Sequence, residues 1–343
     1  MRPPGRGDAS PRPFAVEGHD MKRITPQWLL AGLLALGCLP VWAKSDAQPA
    51  ADADPRLQVE ATLDQKFDQG KYSPKGADTC LKCHDADSRK PATGIFHNVH
   101  GNLGNQNGPM ADKQCEACHG PAGNHPRNPR KGQQREPMIT FGPDSPVPVE
   151  KQNSVCLSCH TDTQRMGWHA SAHAVEDVSC TSCHSLHQAK DPVMDSKLQV
   201  ETCTSCHAQQ KADLHKRTSH PILNGELPCS SCHNPHQSQN EASLKQPSLN
   251  ESCYECHAEK RGPFLWEHEP VTEDCSLCHS PHGSINQALL NKRVPQLCQE
   301  CHSVPHANVS IPEGDLKVRG GSCLNCHNQI HGTNHPNGQS LRR

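Results

Sequence analysis

The chain has little from which to build an ordinary hydrophobic core. Phe, Tyr and Trp together make up 3% of its 343 residues, and the mean hydropathy is -0.77. With 30 prolines and 24 glycines as well, such a polypeptide cannot bury enough apolar surface to offset the entropy of ordering it. The strongest apolar stretch, Trp28 to Leu39, is too short to cross a bilayer, and no later segment is apolar enough to try. A formal net charge of -2 without basic blocks excludes a module that works by neutralising nucleic-acid phosphates. If the chain folds, something other than side chains supplies its core.

Cysteine is what the chain has in abundance. Of 21 cysteines, 20 fall in ten copies of C-x-x-C-H. The first five are Cys80-Cys83-His84, Cys115-Cys118-His119, Cys156-Cys159-His160, Cys180-Cys183-His184 and Cys203-Cys206-His207. Cys229-Cys232-His233, Cys253-Cys256-His257, Cys275-Cys278-His279, Cys298-Cys301-His302 and Cys323-Cys326-His327 follow. Two thiols at this spacing meet the two vinyl groups of one porphyrin, and the adjacent histidine is aimed at the iron, so the unit reads as covalent haem attachment. A zinc site would need each Cys pair to be completed by a second pair, and a disulfide would leave ten repeated histidines without a role. Ten haems c are expected.

The remaining cysteine, Cys38, lies in an export signal. Lys22 and Arg23 form its basic head, and Val41-Trp42-Ala43 is a small-residue cleavage site after the apolar stretch. Cys38 could alternatively mark a lipoprotein, although Ala35-Leu36-Gly37 fits that signal poorly.

Twenty-five histidines include the ten proximal ones and His19 in the leader. The other fourteen fall into ten groups, one after each motif. His97/His100, His125, His169/His173, His187 and His215/His220 follow motifs one to five; His236, His268, His282, His306 and His331/His335 follow motifs six to ten. Ten sixth ligands for ten irons is the simplest account. The four remaining methionines after the leader, Met110, Met138, Met166 and Met194, are then not needed as ligands, and bis-histidine irons of low potential are expected. His97, His169, His215 and His335 read as loop residues or propionate partners. Even-numbered motifs mostly carry their extra histidine at short range, as in CTSCHSLH, CSSCHNPH, CSLCHSPH and CLNCHNQIH, with CEACHGPAGNH looser; odd-numbered ones carry it mostly farther off. The chain is thus five two-haem repeats, and a histidine so close to a proximal ligand can serve a neighbouring haem, so pairing stays open.

Residues 1–43 read as a non-native start plus the signal peptide, 44–79 as a tail and short helix, 80–220 as a first pentahaem half and 221–343 as a second. Asp54 caps the expected helix, Pro55 suits its first turn, Val59, Leu63 and Phe67 share one face expected to pack on the first haem, and Gly70 ends it. From the third motif on, motif starts lie 22 to 26 residues apart, enough for a short helix and a turn but not for sheets. The Pro-rich segment after motif two, with Arg127, Arg130, Lys131 and Arg135, reads as a solvated loop, with a docking or propionate-pairing surface as the alternative. The expected fold is an elongated multihaem cytochrome c of loops and short α-helices with almost no strand. Ten haems on about 300 residues must lie close together, which makes a wire.

Beyond the haem motifs, the stretches VEATLDQKFDQGKYSPKGADTCLKCH, QCEACHGP, EPMITFG, KQNSVCLSCH, TCTSCH with QKADLHKRTSH, CYECHAEKRGP with LWEHEPVTEDC, and SCLNCHNQIHGTNHP resemble the periplasm-facing decahaem cytochromes of MtrA/DmsE type. The resemblance covers almost the whole chain after the leader. It implies the ten proximal histidines above and a distal set of His100, His125, His173, His187, His220, His236, His268, His282, His306 and His331. It also implies a periplasmic electron conduit, not an enzyme, held inside an outer-membrane β-barrel protein. Such a conduit passes electrons between periplasmic or inner-membrane donor cytochromes and a cell-surface multihaem cytochrome, for metal oxide or dimethyl sulfoxide reduction or, reversed, Fe(II) oxidation. A soluble periplasmic multihaem reductase and an electron-storage cytochrome are the alternatives. A reductase needs an iron with a vacant position, and neither a C-x-x-C-K motif nor a motif without a distal candidate occurs.

Overall fold

The computed structural model describes residues 55–162, 165–237, 240–303 and 321–342. The leader with His19 and Cys38, the Asp54 cap and His306 lie outside these residues. The described chain consists of short α-helices, 3-10 turns and loops, with four isolated antiparallel bridges and no strand.

The longest helix, Pro55–Gln69, ends where Gly70 takes a left-handed φ of 58°, a conformation that costs a glycine nothing. Part of its apolar face packs on protein. Leu63 packs with Ile139 and Val147, flanked by Val59, Phe141 and Val155, while Phe67 sits over Gly120. The segment read as a solvated loop therefore supplies half of a small core. The EPMITFG stretch carries apolar residues at alternating positions, and its backbone is pinned by polar anchors. Lys66, itself buried, donates to the Pro137 carbonyl at 2.6 Å. Arg135 donates to the carbonyls of His125 and Arg127. The buried Glu116 carboxylate accepts from the backbone N–H groups of Ser73 and Ala122.

Each attachment motif forms a single turn. In nine of them the histidine N–H bonds the carbonyl of the first cysteine at 2.9–3.1 Å, and the tenth, Cys115–His119, is itself a helix. Odd and even motifs differ in what surrounds this turn. Odd motifs begin at or near the end of an α-helix: Ala77–Cys80, Val149–Leu157, Gln199–Thr204, Leu249–Tyr254 and Gln296–Gln299. Four even motifs begin as 3-10 turns: Cys180–Ser182, Cys229–Ser231, Cys275–Leu277 and Cys323–Asn325. The two-motif repeat is thus visible in the backbone of the last four of the five repeats.

Buried amides tie the two kinds of motif together. Asn153, three residues before Cys156, accepts from Cys180 N, and Asn250, three before Cys253, accepts from Cys275 N, both at 2.8 Å. Gln199, four before Cys203, accepts from Ser230 N at 2.8 Å. All three side chains are buried, and each bond holds an odd-motif helix against the next even-motif turn in a part-buried place.

A second contact recurs at longer range. The segment after an odd motif clasps the turn after the even motif three places on. Asn98 donates to the carbonyls of Leu186 and Gln188, and His173 Nδ1 bonds Pro235 O. Thr218 and Ser284 form a bridge while His220 Nδ1 bonds Pro281 O at 2.7 Å, and Trp266 bridges Thr333. Backbones approach so closely here that a Cβ on Gly94 would strike the His187 carbonyl, and one on Gly283 the Asp213 carbonyl.

Candidate functional site

The motif sulfurs lie in a regular order. First cysteines meet within a repeat: Cys80 lies close to Cys115, Cys156 to Cys180, Cys203 to Cys229, Cys253 to Cys275 and Cys298 to Cys323. Second cysteines face each other between repeats: Cys118 lies near Cys159, Cys183 near Cys206, Cys232 near Cys256 and Cys278 near Cys301. The ten attachment sites therefore adjoin one another in chain order, through alternating edges.

The imidazoles form pairs. Ring centroids stand 5.9 Å apart for His100 and His160 and for His119 and His187, and 6.0 Å for His173 and His207, for His184 and His236 and for His233 and His282. They stand 6.1 Å apart for His279 and His331, 6.2 Å for His268 and His302, and 6.5 Å for His220 and His257. Each pair joins one motif histidine to one of the expected distal set. Metal–imidazole nitrogen bonds run to about 2 Å and the ring centroid lies about 1 Å behind the nitrogen, so two rings facing one metal stand ~6 Å apart. The spacing fits an iron between each pair.

Ring orientation fits as well. Nδ1 bonds a backbone carbonyl in His84 (Lys90), His119 (Ile139), His233 (Ala242), His279 (Ala288) and His327 (Ser340). It does so too in the distal rings of His125 (Glu136), His173 (Pro235) and His220 (Pro281). A carbonyl only accepts, so Nδ1 carries the hydrogen and Nε2 keeps its lone pair for a metal. Burial, the largest cause, lowers the imidazole pKa of His100, His119, His125, His187, His236, His268, His282 and His331, which favours the neutral ligating form. Among the described residues no three Cys, His, Asp or Glu side chains converge as a zinc site requires.

The pairing follows one rule. The histidine after an odd motif faces the proximal ring two motifs ahead, and the histidine after an even motif faces the ring two motifs back. No ring therefore faces the proximal histidine that precedes it most closely in the chain. Each clasp delivers two distal rings side by side: His220 and His282, for example, go to motifs seven and six. His125 lies close enough to His84 for their charges to interact. His97, His169, His215 and His335 enter no ring pair. Met166 and Met194 are exposed, whereas Met110 is buried. Sequence reasoning missed the tying amides, although Asn three residues before the first cysteine in both KQNSVC and PSLNESC was their signal.

Comparison with known proteins identifies the family. Residues 115–200 match the family described as cytochrome c-type protein NrfB-like, residues 220–262 and 268–306 each match the doubled CXXCH motif, and residues 39–120 match cytochrome c554 and c-prime. The chain is 54% identical over 296 residues to the multiheme cytochrome MtrA of Shewanella baltica, covering 83% of this chain and 87% of that protein. The chain belongs to the MtrA family of multihaem cytochromes. It is also 34% identical to the cytochrome c-type protein NrfB of Escherichia coli over 54% of this chain and 88% of the relative. For NrfB of Haemophilus influenzae the identity is 31%, over 45% and 72%. Membership makes the C-x-x-C-H units covalent haem c sites and the protein an electron-transfer cytochrome of ten haems. The paired thiols above are accordingly thioethers in the mature protein. No described helix is long and apolar enough to cross a membrane.

Proposed function

We propose that this MtrA-family cytochrome is a periplasmic electron conduit seated in an outer-membrane β-barrel protein. It would take electrons from periplasmic or inner-membrane cytochromes and deliver them to a cell-surface multihaem cytochrome, or run in reverse. The observation that carries this reading is the unbroken adjacency of the ten attachment sites in chain order. A storage protein has no need of such a sequence of neighbours, whereas a conductor requires it. The polar lumen of a barrel suits a chain of such low hydropathy. The haems supply one-electron iron chemistry; the protein supplies spacing and two imidazoles per iron.

We assign the ligands by the rule of two. Eight irons take the facing pairs given above. The rule leaves motif one without a predecessor and motif ten without a successor, and it leaves His125 and His306 without partners. His125 is therefore the ligand opposite His84, and His306 the one opposite His327.

Affinity purification from detergent-solubilised outer membranes tests the placement. Recovery of a β-barrel and a second multihaem cytochrome is expected. Recovery of the whole protein from the soluble periplasm, without a barrel, would instead favour storage. Intact mass with ten haems and a near-infrared spectrum of bis-histidine type test the ligands; a methionine-type band would refute the assignment.

A further inference from the structure

Six proximal imidazoles place Nδ1 within hydrogen-bond reach of an acceptor, and five of the acceptors are backbone carbonyls. His184, at the fourth motif, is the exception. Its Nδ1 lies 2.6 Å from Oδ2 of Asp191. The other carboxylate oxygen accepts from Ser185 N at 3.1 Å, so the carboxylate is fixed from two sides. It is also largely sheltered, its side chain 17% exposed. The cause is local sequence. After motifs six and eight the acceptor is the carbonyl of the ninth residue beyond the histidine, Ala242 or Ala288, each at a positive φ. After motif four the chain instead runs Asp191-Pro192 at the seventh residue, and the Asp side chain replaces the carbonyl. Among the carboxylates of the described residues in contact with another proximal Nδ1 is that of Glu259, 3.8 Å from His257, too far for a hydrogen bond, exposed and in contact with Lys260.

A carboxylate differs from a carbonyl by a full charge. It draws the Nδ1 hydrogen toward itself, gives the ring imidazolate character and so strengthens donation from Nε2 to a metal. Stronger donation and a nearby anion both favour ferric over ferrous iron. Across the pair, the Arg165 charge lies near His236, but Arg165 is ion-paired to Asp162 and does not cancel the effect.

We propose that Asp191 is a positioning residue that acts through His184 to make the fourth haem hold its ferric state more strongly than the other even-numbered haems, setting a fixed low-potential step in the conduit. This rests on the haem-ligand assignment above.

The variant that tests it is Asp191→Asn, which keeps a neutral oxygen able to accept from Nδ1. In a spectroelectrochemical titration of the ten-haem protein, one component should move to more positive potential by about tenfold in its equilibrium, ~59 mV for one electron. Asp191→Glu should restore most of the shift. In the wild type, one bis-histidine charge-transfer component should stand apart from the rest in the near-infrared and rejoin them in Asp191→Asn. This spectrum of the unmodified protein keeps the test open even if the variant is poorly made. Wild-type mass and coordination in Asp191→Asn with an unmoved titration and no distinct component would overturn the role of Asp191 alone. A wild type without ten bis-histidine haems would overturn the ligand assignment and this inference together.

Discussion

Two buried residues show how much of this molecule's order is polar. Asn250 accepts from Cys275 N and donates to the carbonyls of Val271 and Thr272. Replacing it with Leu removes the acceptor of a part-buried N–H, at a cost of about 1–3 kcal/mol. The prediction is local opening: the Cys275 amide should exchange its hydrogen about 5–150-fold faster by mass spectrometry, and an unchanged rate would show that the tie is dispensable. Lys66 makes a different prediction. Burial, its largest influence, holds its ammonium pKa below 10.5 against the raising effect of Glu136 and Glu116. Between the folded value and 10.5 the unfolded chain binds the extra proton, so stability rises with pH across that alkaline window. Lys66→Met should flatten this rise when denaturation midpoints followed by circular dichroism are compared across the window. Lys66 gave no sign of its role in the sequence, because a lone Lys looks alike on a solvated face and in a buried anchor, and Asn250 was marked only by the shared position of Asn153, three residues before a first cysteine. The cofactor sites were legible because covalent attachment demands a fixed pentapeptide.

At the scale of elements, the helix-bearing odd motif and the turn-bearing even motif form the repeat, and the clasps join one repeat to the next. Parity of the histidine spacing announced the repeat. The ring each histidine faces could not be read from the sequence, since distance along the chain favours the nearest proximal histidine and the clasps set each ring against another. Helix Pro55–Gln69 repeats the lesson. Its stripe of Val59, Leu63 and Phe67 was plain, but the packing of Val59 and Leu63 on the EPMITFG stretch was not, as Pro-rich flanks disguised a run that buries Ile139. The pairing rule predicts that His282→Ala opens the sixth haem, not the eighth. Carbon monoxide binding to the reduced variant should vanish when Cys229 and Cys232 are also replaced by Ala, and persist when Cys275 and Cys278 are replaced instead. The opposite result would refute the rule. Gly283→Ala, which sets a methyl group against the Asp213 carbonyl, should disturb the clasp carrying both His220 and His282. Carbon monoxide should then reach two haems, the sixth and seventh, instead of one.

Across the whole molecule, the proposed ligand assignment puts coordination and attachment on different schedules. A chain cut before Ser322 retains the eighth attachment motif complete but lacks His331, the ring that faces His279. It should carry nine haems by mass and show ligand binding at the eighth, a site intact in its own sequence. If the eighth iron stayed closed, ligands would have to be assigned within repeats.

The exchange of imidazoles between alternate motifs also bears on how such proteins change length. Copying one helix-and-turn unit into the interior would hand every new iron a ring from the unit before or after it, and would leave the termini undisturbed. Duplication of a half-unit would strand an iron at each junction. Descent by this route favours even numbers of haems, with novelty confined to the two ends.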